Sequence, residues 1–495
     1  MADICILVEG AYPYVTGGVS SWLHALITNL TDLTFALVHV GARPDPQRKP
    51  RYTLPKNVVE YREVFTSDIT GIKKSGLTRR PRESEQTFLL PHEAIALGKP
   101  YKKEQLYTLL QQPGLAGLTS ADLLYGARSW DFLIELYKTY APQQAFVDFF
   151  WTFRQTYLPI FRLAEVVLPE ADVYHAVSTG FCGLLGALVK LRHDRPFLIT
   201  EHGIYTRERE IEISQSLWLE QLGENQRDQL QRMNFFQAWW LNIYRFMELI
   251  AYDMADSVIS ITGVNQHYQV AHGADASKLR LIPNGIDIAR LDGLRLEQGE
   301  DAETFQVGFV GRIVSIKDVK TMIRAAKIAS ETIPDLQVYL VGPTDEEKDY
   351  YQKCQQLVSM LNLEKIVHFT GSTDVKAYYK KIDVLVLTSL SEGQPLVILE
   401  GNCAGIPVVA SNVGACRELL EGVTAEDQAL GASGLITPVA SPQATAQAII
   451  QLWRDKDLRL RLGQAGRERV RRFYRQEQLY STYTDLYQQY INGRE

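Results

Sequence analysis

The sequence predicts an α/β protein built as two successive parallel-sheet halves, and three observations carry that prediction. Short apolar, β-branched runs alternate with helical patterns along nearly the whole chain, which is the signature of βαβ units. The alternation is broken once, by the polar stretch Glu297–Glu303, and then restarts. The chain has 495 residues, more than one hydrophobic core usually serves.

The first half, residues 1–298, carries strand-like runs at Ile4–Val8, Phe35–Val40, Val173–Ala176, Phe197–Thr200, Val258–Ile261 and Leu279–Ile282. The second, residues 299–475, carries them at Val307–Val310, Gln337–Val341, Lys365–Phe369, Val384–Leu387 and Val408–Ala410. Near-continuous apolar runs of this length are expected where a strand is covered on both faces. The last segment, 476–495, holds Tyr480, Tyr483, Tyr487 and Tyr490 at helical spacing. Two segments exceed what this plan requires. One, about 68–158, has basic turns (Lys73-Lys74, Arg79-Arg80) and then aromatic helices around Trp130 and Phe149-Phe150-Trp151. The other, about Gln226–Ala255, crowds Phe235, Phe236, Trp239, Trp240, Tyr244 and Phe246 onto one helix. Such a stripe reads first as core. An acceptor groove or a docking face for membrane-embedded partners is the alternative.

Composition narrows the class. With 46% apolar residues and a formal net charge of −6, the chain reads as an ordinary globular protein and not as a nucleic-acid binder. Its five cysteines are scattered and mostly flanked by apolar residues, which suits buried thiols in a reducing compartment better than disulfides or a zinc site. Asp3 and Glu9 bracket too short an apolar start for a signal peptide, and no stretch approaches a membrane span. A cytoplasmic protein that reaches membranes only through partners is expected.

The most informative stretch is Ser389–Glu400. It follows the strand run Val384–Leu387, and Gly393 and Pro395 mark a turn into a helix. The amides of a helix's first turn are free to bind an anion, and Glu392 and Glu400 stand on either side of that start, able to accept hydrogen bonds from hydroxyls. Gly311-Arg312 ends another strand, with Lys317 five residues on. A planar fork and a point charge so placed suit a diphosphate. Near the N-terminus, Gly17-Gly18 follows a strand and precedes a helix, which allows close backbone approach to an anion. Asn284-Gly285 marks a tight turn.

The order of these pieces, together with Thr200-Glu201-His202, His368-Phe369-Thr370-Gly371 and Gly405–Ser411, resembles the retaining nucleotide-sugar glycosyltransferases of family 4, with the GT-B fold. Ile6–Trp22 and Glu201–Glu210 are similar, more narrowly, to cytosolic transferases of exopolysaccharide synthesis. The resemblance implies two Rossmann-like domains facing across a cleft, with the C-terminal helix crossing back to the first. It implies a nucleotide sugar, UDP-glucose first, as substrate. Arg312, Lys317, Gly17, Gly18 and the helix start at Gly393 would hold the diphosphate; Glu400 the ribose; His368 the base by its backbone; Gln394, Leu396 and Val397 would line the same site. Glu392 and His202 are implied as the catalytic pair at the donor sugar, with no cofactor and no metal. The implied partners are a polysaccharide acceptor and membrane-embedded assembly proteins, with no nucleic acid.

Three positions depart from that family's pattern. Asp318 stands where a glycine is usual, Gln394 where an aromatic is usual, and Gly401 where an alanine is usual. The first is expected to bring a carboxylate near the phosphates, the second to read a sugar hydroxyl or lie exposed, the third to loosen its helix. An epimerase of the same fold and an inactive nucleotide-sugar scaffold are the rival readings. Asp455-Lys456-Asp457 is the available match to a metal-binding Asp-x-Asp, and it reads as acids flanking a helix.

Overall fold

The computed structural model describes residues 1–70, 72, 91–115, 117–126, 129–216, 235–291, 294 and 304–493. The basic turns at 73–74 and 79–80, residues 226–234 and the linker at 297–303 lie outside that set. The chain forms two compact units, Met1–Ser260 with His267–Arg280 and Tyr483–Glu495, and Ile261–Gln266 with Leu281–Thr482.

The first unit is built on seven strands: β1 (Ala2–Glu9), β2 (Phe35–Gly41), β3 (Val58–Phe65), β4 (Ala171–Ala176), β5 (Phe197–Glu201), β6 (Ser257–Ser260) and β7 (Leu279–Leu281). They lie in the order β3-β2-β1-β4-β5-β6-β7, and β1 to β6 pair in parallel. Ile4 to Val8 are fully buried, as a central strand covered on both faces requires. Strand β3 escaped the sequence reading for a physical reason. It is the sheet edge, and Glu60, Arg62 and Glu63 interrupt its apolar pattern, the charges with which edge strands resist pairing with other chains.

The helices between β3 and β4 close one side of this core. In Phe146–Ala164, Phe149, Phe153 and Tyr157 point inward, and Phe149 meets Trp239 edge-on at 5.4 Å. Trp239, Ile243, Phe246 and Met247 of helix Phe235–Met254 are likewise buried. The aromatic stripe on that helix is therefore mainly core, although Trp240 stays half-buried and stacks on Tyr244.

The final helix, Gln476–Asn492, contributes its last turns to the first unit. Tyr483 and Tyr487 stand one turn apart on one face and are fully buried. Tyr487 Oη bonds His175 Nδ1 at 2.7 Å, His175 Nε2 bonds Thr200 Oγ1 at 2.8 Å, and Thr200 Oγ1 bonds Tyr483 Oη at 2.9 Å. Four buried polar groups thus satisfy one another.

The second unit holds β8 (Phe305–Val310), β9 (Leu336–Val341), β10 (Val367–Gly371), β11 (Val384–Leu387), β12 (Val408–Ser411) and β13 (Gly434–Thr437). All pair in parallel, in the order β10-β9-β8-β11-β12-β13. Helix Leu396–Cys403 packs closely on β11. A methyl at Gly401 would lie 2.6 Å from Leu385 Cδ2, so the glycine lets the helix approach the sheet and does not loosen it. Asp455 caps helix Lys456–Phe473 through the amide of Leu458 at 2.8 Å, in keeping with its reading as a helix-flanking acid.

The tyrosine anchor yields a test. Tyr487→Phe leaves His175 Nδ1 buried without its partner, and losing such a partner costs about 1–3 kcal/mol. Urea unfolding of the variant is expected to show that loss, with an unchanged denaturant slope.

Candidate functional site

In the second unit the chain runs outward from β8 through β9 to β10, then returns to place β11 on the other side of β8. The loops leaving β8 and β11 therefore diverge, and open sheets bind ligands in the crevice at such a switch point. Two sequence-chosen residues meet there. Lys317, in the short turn Ser315–Lys317 after β8, places Nζ 2.6 Å from Glu392 Oε1, after β11. Both side chains are largely buried. Ser389 Oγ, from the start of the same stretch, donates to the same oxygen at 2.6 Å.

The loop is held from two sides. Thr388 Oγ1 donates to the carbonyls of Lys317 and Asp318 at 3.1 and 3.0 Å. Gly414, at φ +48°, lies so close that a Cβ would sit 2.0 Å from the Glu392 carbonyl oxygen, and only glycine accepts both conditions readily. The amide of Ala415 then donates to the Gly393 carbonyl at 2.9 Å.

The other predicted residues take separate partners. Arg312 is exposed and pairs with Glu346, Nη1 to Oε2 at 2.7 Å, so it and Lys317 engage different carboxylates. Glu400 accepts from the buried Tyr379 hydroxyl at 2.7 Å, and burial holds its carboxyl above the usual range. His368 lies on β10, its ring bonded through Nε2 to Gln337 Oε1 at 2.7 Å and stacked on Tyr339. Leu396 is exposed and Val397 half-buried in the first turn of their helix, with Gly393 in the loop before it.

Two departures from the family pattern have local structural roles. Asp318 occupies the left-handed region at φ 43°, where glycine is at ease, and its side chain caps helix Val319–Ser330 through the Thr321 amide. Its carboxylate serves that cap. Gln394 is buried and accepts from the amide of Asn284 at 2.8 Å. The amide side chain thus fixes the Asn284-Gly285 turn.

In the first unit β1 and β4 form the corresponding switch point. Glu9, at the end of β1, accepts from the Phe181 amide and the Tyr205 hydroxyl, each at 2.9 Å. Burial pushes its carboxyl up. The sequence offered only a strand-end acid there. Gly17 and Gly18 are exposed at the start of helix Gly18–Asn29, which has no side-chain cap. His202 follows β5 and meets Trp22 edge-on at 4.5 Å. Among the described residues, His202 Nε2, Trp22 Nε1 and Ser178 Oγ are buried polar atoms without a hydrogen-bond partner. Burial lowers the His202 pKa to about 4. Beside it, Glu201 is fully enclosed, accepting from Thr179, Tyr252 and Gln269, and is pushed up to about 7 by that burial.

Comparison with known proteins places both units. A family profile described as a domain of unknown function, DUF3492, matches residues 2–277, more than half of the chain. The chain belongs to the DUF3492 family. Beyond the DUF3492 region, residues 294–469 match glycosyl transferases group 1. The chain is 28% identical over 248 residues to D-inositol 3-phosphate glycosyltransferase of Corynebacterium urealyticum, covering 46% of this chain and 56% of the relative. It is 30% identical over 174 residues to N-acetyl-alpha-D-glucosaminyl L-malate synthase of Bacillus anthracis, 35% of this chain and 42% of the relative. The chain thus spans about half the length of the curated relatives it matches. Among solved structures it is similar to sucrose-phosphate synthase of Thermosynechococcus elongatus, with a TM-score of 0.58 and 19% identity over 99% of both chains. It is also similar to Anabaena HepE solved with UDP, with a TM-score of 0.57 and 16% identity over 98% of this chain and 99% of that one. These likenesses establish the GT-B fold for this member of the DUF3492 family.

The lowered pKa of His202 makes a signed prediction. The imidazole stays neutral from pH 5 upward in the folded chain, so its NMR titration, assigned against His202→Gln, is expected to have a midpoint near 4 and not at the ordinary 6.5. Keeping it neutral contributes stability that is complete above 6.5 and is lost as pH falls toward 4. Unfolding free energies of the His202→Gln variant are expected to decline less over that window.

Proposed function

We propose that the chain is a retaining nucleotide-sugar glycosyltransferase of family 4, transferring a hexose from UDP-glucose or another UDP-hexose to a growing exopolysaccharide. The observation that carries this reading is the Lys317–Glu392 pair at the switch point of the group 1 domain. A buried cation there is held in place by an exchangeable carboxylate. A diphosphate competes with Glu392 for Lys317, and Arg312 adds a second cation after the same strand. Ser389 and the amides leading into helix Leu396–Cys403 supply neutral donors. Glu400, already hydrogen-bonded and shielded, is suited to accept from ribose hydroxyls.

Transfer with retention is assigned to front-face attack. The anomeric C–O bond to the diphosphate breaks as the acceptor oxygen bonds to the same face, and the departing phosphate oxygen takes the acceptor's proton. Charge on the leaving group is stabilised by cations and amides, with no metal in the scheme. Glu392, released from Lys317, accepts hydrogen bonds from the donor sugar. In the first unit His202, neutral at physiological pH, is suited to hydrogen-bond a sugar hydroxyl. The solved HepE complex with UDP supports UDP as the first nucleotide to test. Ile6–Trp22 and Glu201–Glu210 resemble PelF of Pel exopolysaccharide synthesis. That supports a cytoplasmic enzyme working with membrane-embedded assembly proteins.

The decisive test titrates UDP- and GDP-sugars against the purified protein and follows binding and nucleotide release. Product formed without acceptor would favour the epimerase reading, and binding without turnover the scaffold. Arg312→Ala removes charge-assisted bonds worth roughly 1.5–3 kcal/mol and is expected to weaken free UDP about ten- to hundredfold by calorimetry. Glu392→Gln removes the charge that competes with the diphosphate for Lys317, so UDP binding should be kept or tightened while turnover falls on the order of 100-fold. Parental turnover in that variant, or undiminished UDP binding by Arg312→Ala, contradicts the assigned site. Activity is also expected to survive excess EDTA. Loss restored by Mg²⁺ would contradict the metal-free scheme.

A further inference from the structure

Strands β8 and β9 stay together after their last paired residues. The amide of Gly311 donates to the Val341 carbonyl at 2.8 Å, and that of Ile313 to the Pro343 carbonyl at 2.9 Å. A Cβ on Gly342 would sit 2.1 Å from the Gly311 carbonyl oxygen, so the two chains leave the sheet in contact. The loop after β9 therefore runs beside the segment that carries Arg312 and Lys317, and two successive glutamates hold that segment at different places. Glu346 pairs with Arg312. Glu347 turns both carboxylate oxygens on Ser315, Oε2 accepting from its amide at 3.0 Å and Oε1 from its hydroxyl at 3.1 Å.

Glu347 is the N-cap residue of helix Lys348–Met360, a position from which a side chain ordinarily bonds the first amides of its own helix. It makes no such bond. Its carboxylate reaches a residue 32 positions earlier. Ser315 opens the turn Ser315–Lys317. The Leu390 amide donates to the Ile316 carbonyl at 2.9 Å, and Thr388 Oγ1 holds the carbonyls of Lys317 and Asp318, so the middle and the exit of the turn are tied to the residues after β11. Glu347 ties its entry to the loop after β9. The direction in which Lys317 leaves the turn is fixed by these anchors, and any rotation of the turn is magnified along the four-carbon stem to Nζ. Toward an anion the two glutamates are therefore unlike. Both repel it by charge, but Glu346 also occupies a cation, whereas Glu347 aims one.

We propose that Glu347 is a positioning residue for diphosphate binding, acting through the Ser315–Lys317 turn, and that Glu346 is the counter-ion which the diphosphate displaces from Arg312. The proposal rests on the diphosphate reading of this segment. Its test is a sign: removing either negative charge beside an anion site strengthens binding by electrostatics alone, and a loss of positioning weakens it. Calorimetry with UDP would compare the whole parental chain with Glu347→Ala, Glu347→Gln and Glu346→Gln. Saturation-transfer NMR with uridine, which has no phosphate, would follow the same four proteins. Glu347→Ala is expected to weaken UDP about tenfold, and Glu347→Gln, which keeps an acceptor oxygen for Ser315, roughly threefold or less. Glu346→Gln should bind UDP as tightly as the parent or more so. Uridine should be held equally by all four, which also reports that the variants fold. Unweakened UDP binding by Glu347→Ala, or a parallel loss of uridine, overturns the positioning role. Weaker UDP binding by Glu346→Gln overturns the displaced counter-ion. If the parental protein does not bind UDP, the diphosphate reading falls and this proposal with it; parental binding that Glu347→Ala leaves unchanged sinks the proposal alone.

Discussion

Parallel pairing is the constraint on which the functional geometry depends. When the strands of a sheet run the same way, their carboxyl ends share one edge, and adjacent loops part only where the winding reverses. Each unit has placed a carboxylate at that point. In the first, Glu9 bridges from β1 to the amide of Phe181 after β4. In the second, Glu392 bridges from β11 to Lys317 after β8. The two acids differ in what they hold. Glu9 is committed to a helix start and a tyrosine hydroxyl, whereas Glu392 holds the ammonium of Lys317.

Much of this was legible in the sequence because burial on both faces leaves a simple mark. The runs at Ile4–Val8 and Val384–Leu387 read as strands since every residue in them is apolar or nearly so, and both prove fully buried or almost so. The edge strands carry a weaker mark. Charges interrupt β3, and β13, Gly434–Thr437, has only two apolar side chains, both half-buried. Spacing also placed Arg312 and Lys317 on one short segment but could not give their directions. The turn at Ser315–Lys317 sends the lysine toward β11, while Arg312 faces Glu346, 34 residues on. The partners Tyr379 and Gln337 were invisible for the same reason: a hydrogen bond between distant residues leaves no local pattern.

The departures from the family pattern teach a related lesson about substitution. Asp318, Gln394 and Gly401 each replace a residue that the family usually carries, and each has a local structural role. Asp318 tolerates a left-handed backbone and caps a helix, Gln394 ties down a distant turn, and Gly401 admits a close helix. Side-chain type alone suggested a carboxylate near the phosphates for Asp318 and, for Gln394, a sugar contact or an exposed amide. The structure shows what each holds locally, a helix start and the Asn284 amide. The aromatic segments divide along similar lines. Phe149 and Val147 are equally apolar in sequence, and only the packing of their helix separates the core face from the exposed one.

The ring of hydrogen bonds through His175, Thr200, Tyr483 and Tyr487 has a consequence for the order of events during synthesis. Ribosomes deliver a chain from its amino end, and domains ordinarily fold as they emerge. Here β4 and β5 emerge hundreds of residues before the tyrosines that satisfy them. Until residue 487 has left the exit tunnel, His175 and Thr200 lack these tyrosine partners, so this part of the first unit's core is completed only after the second unit has been translated.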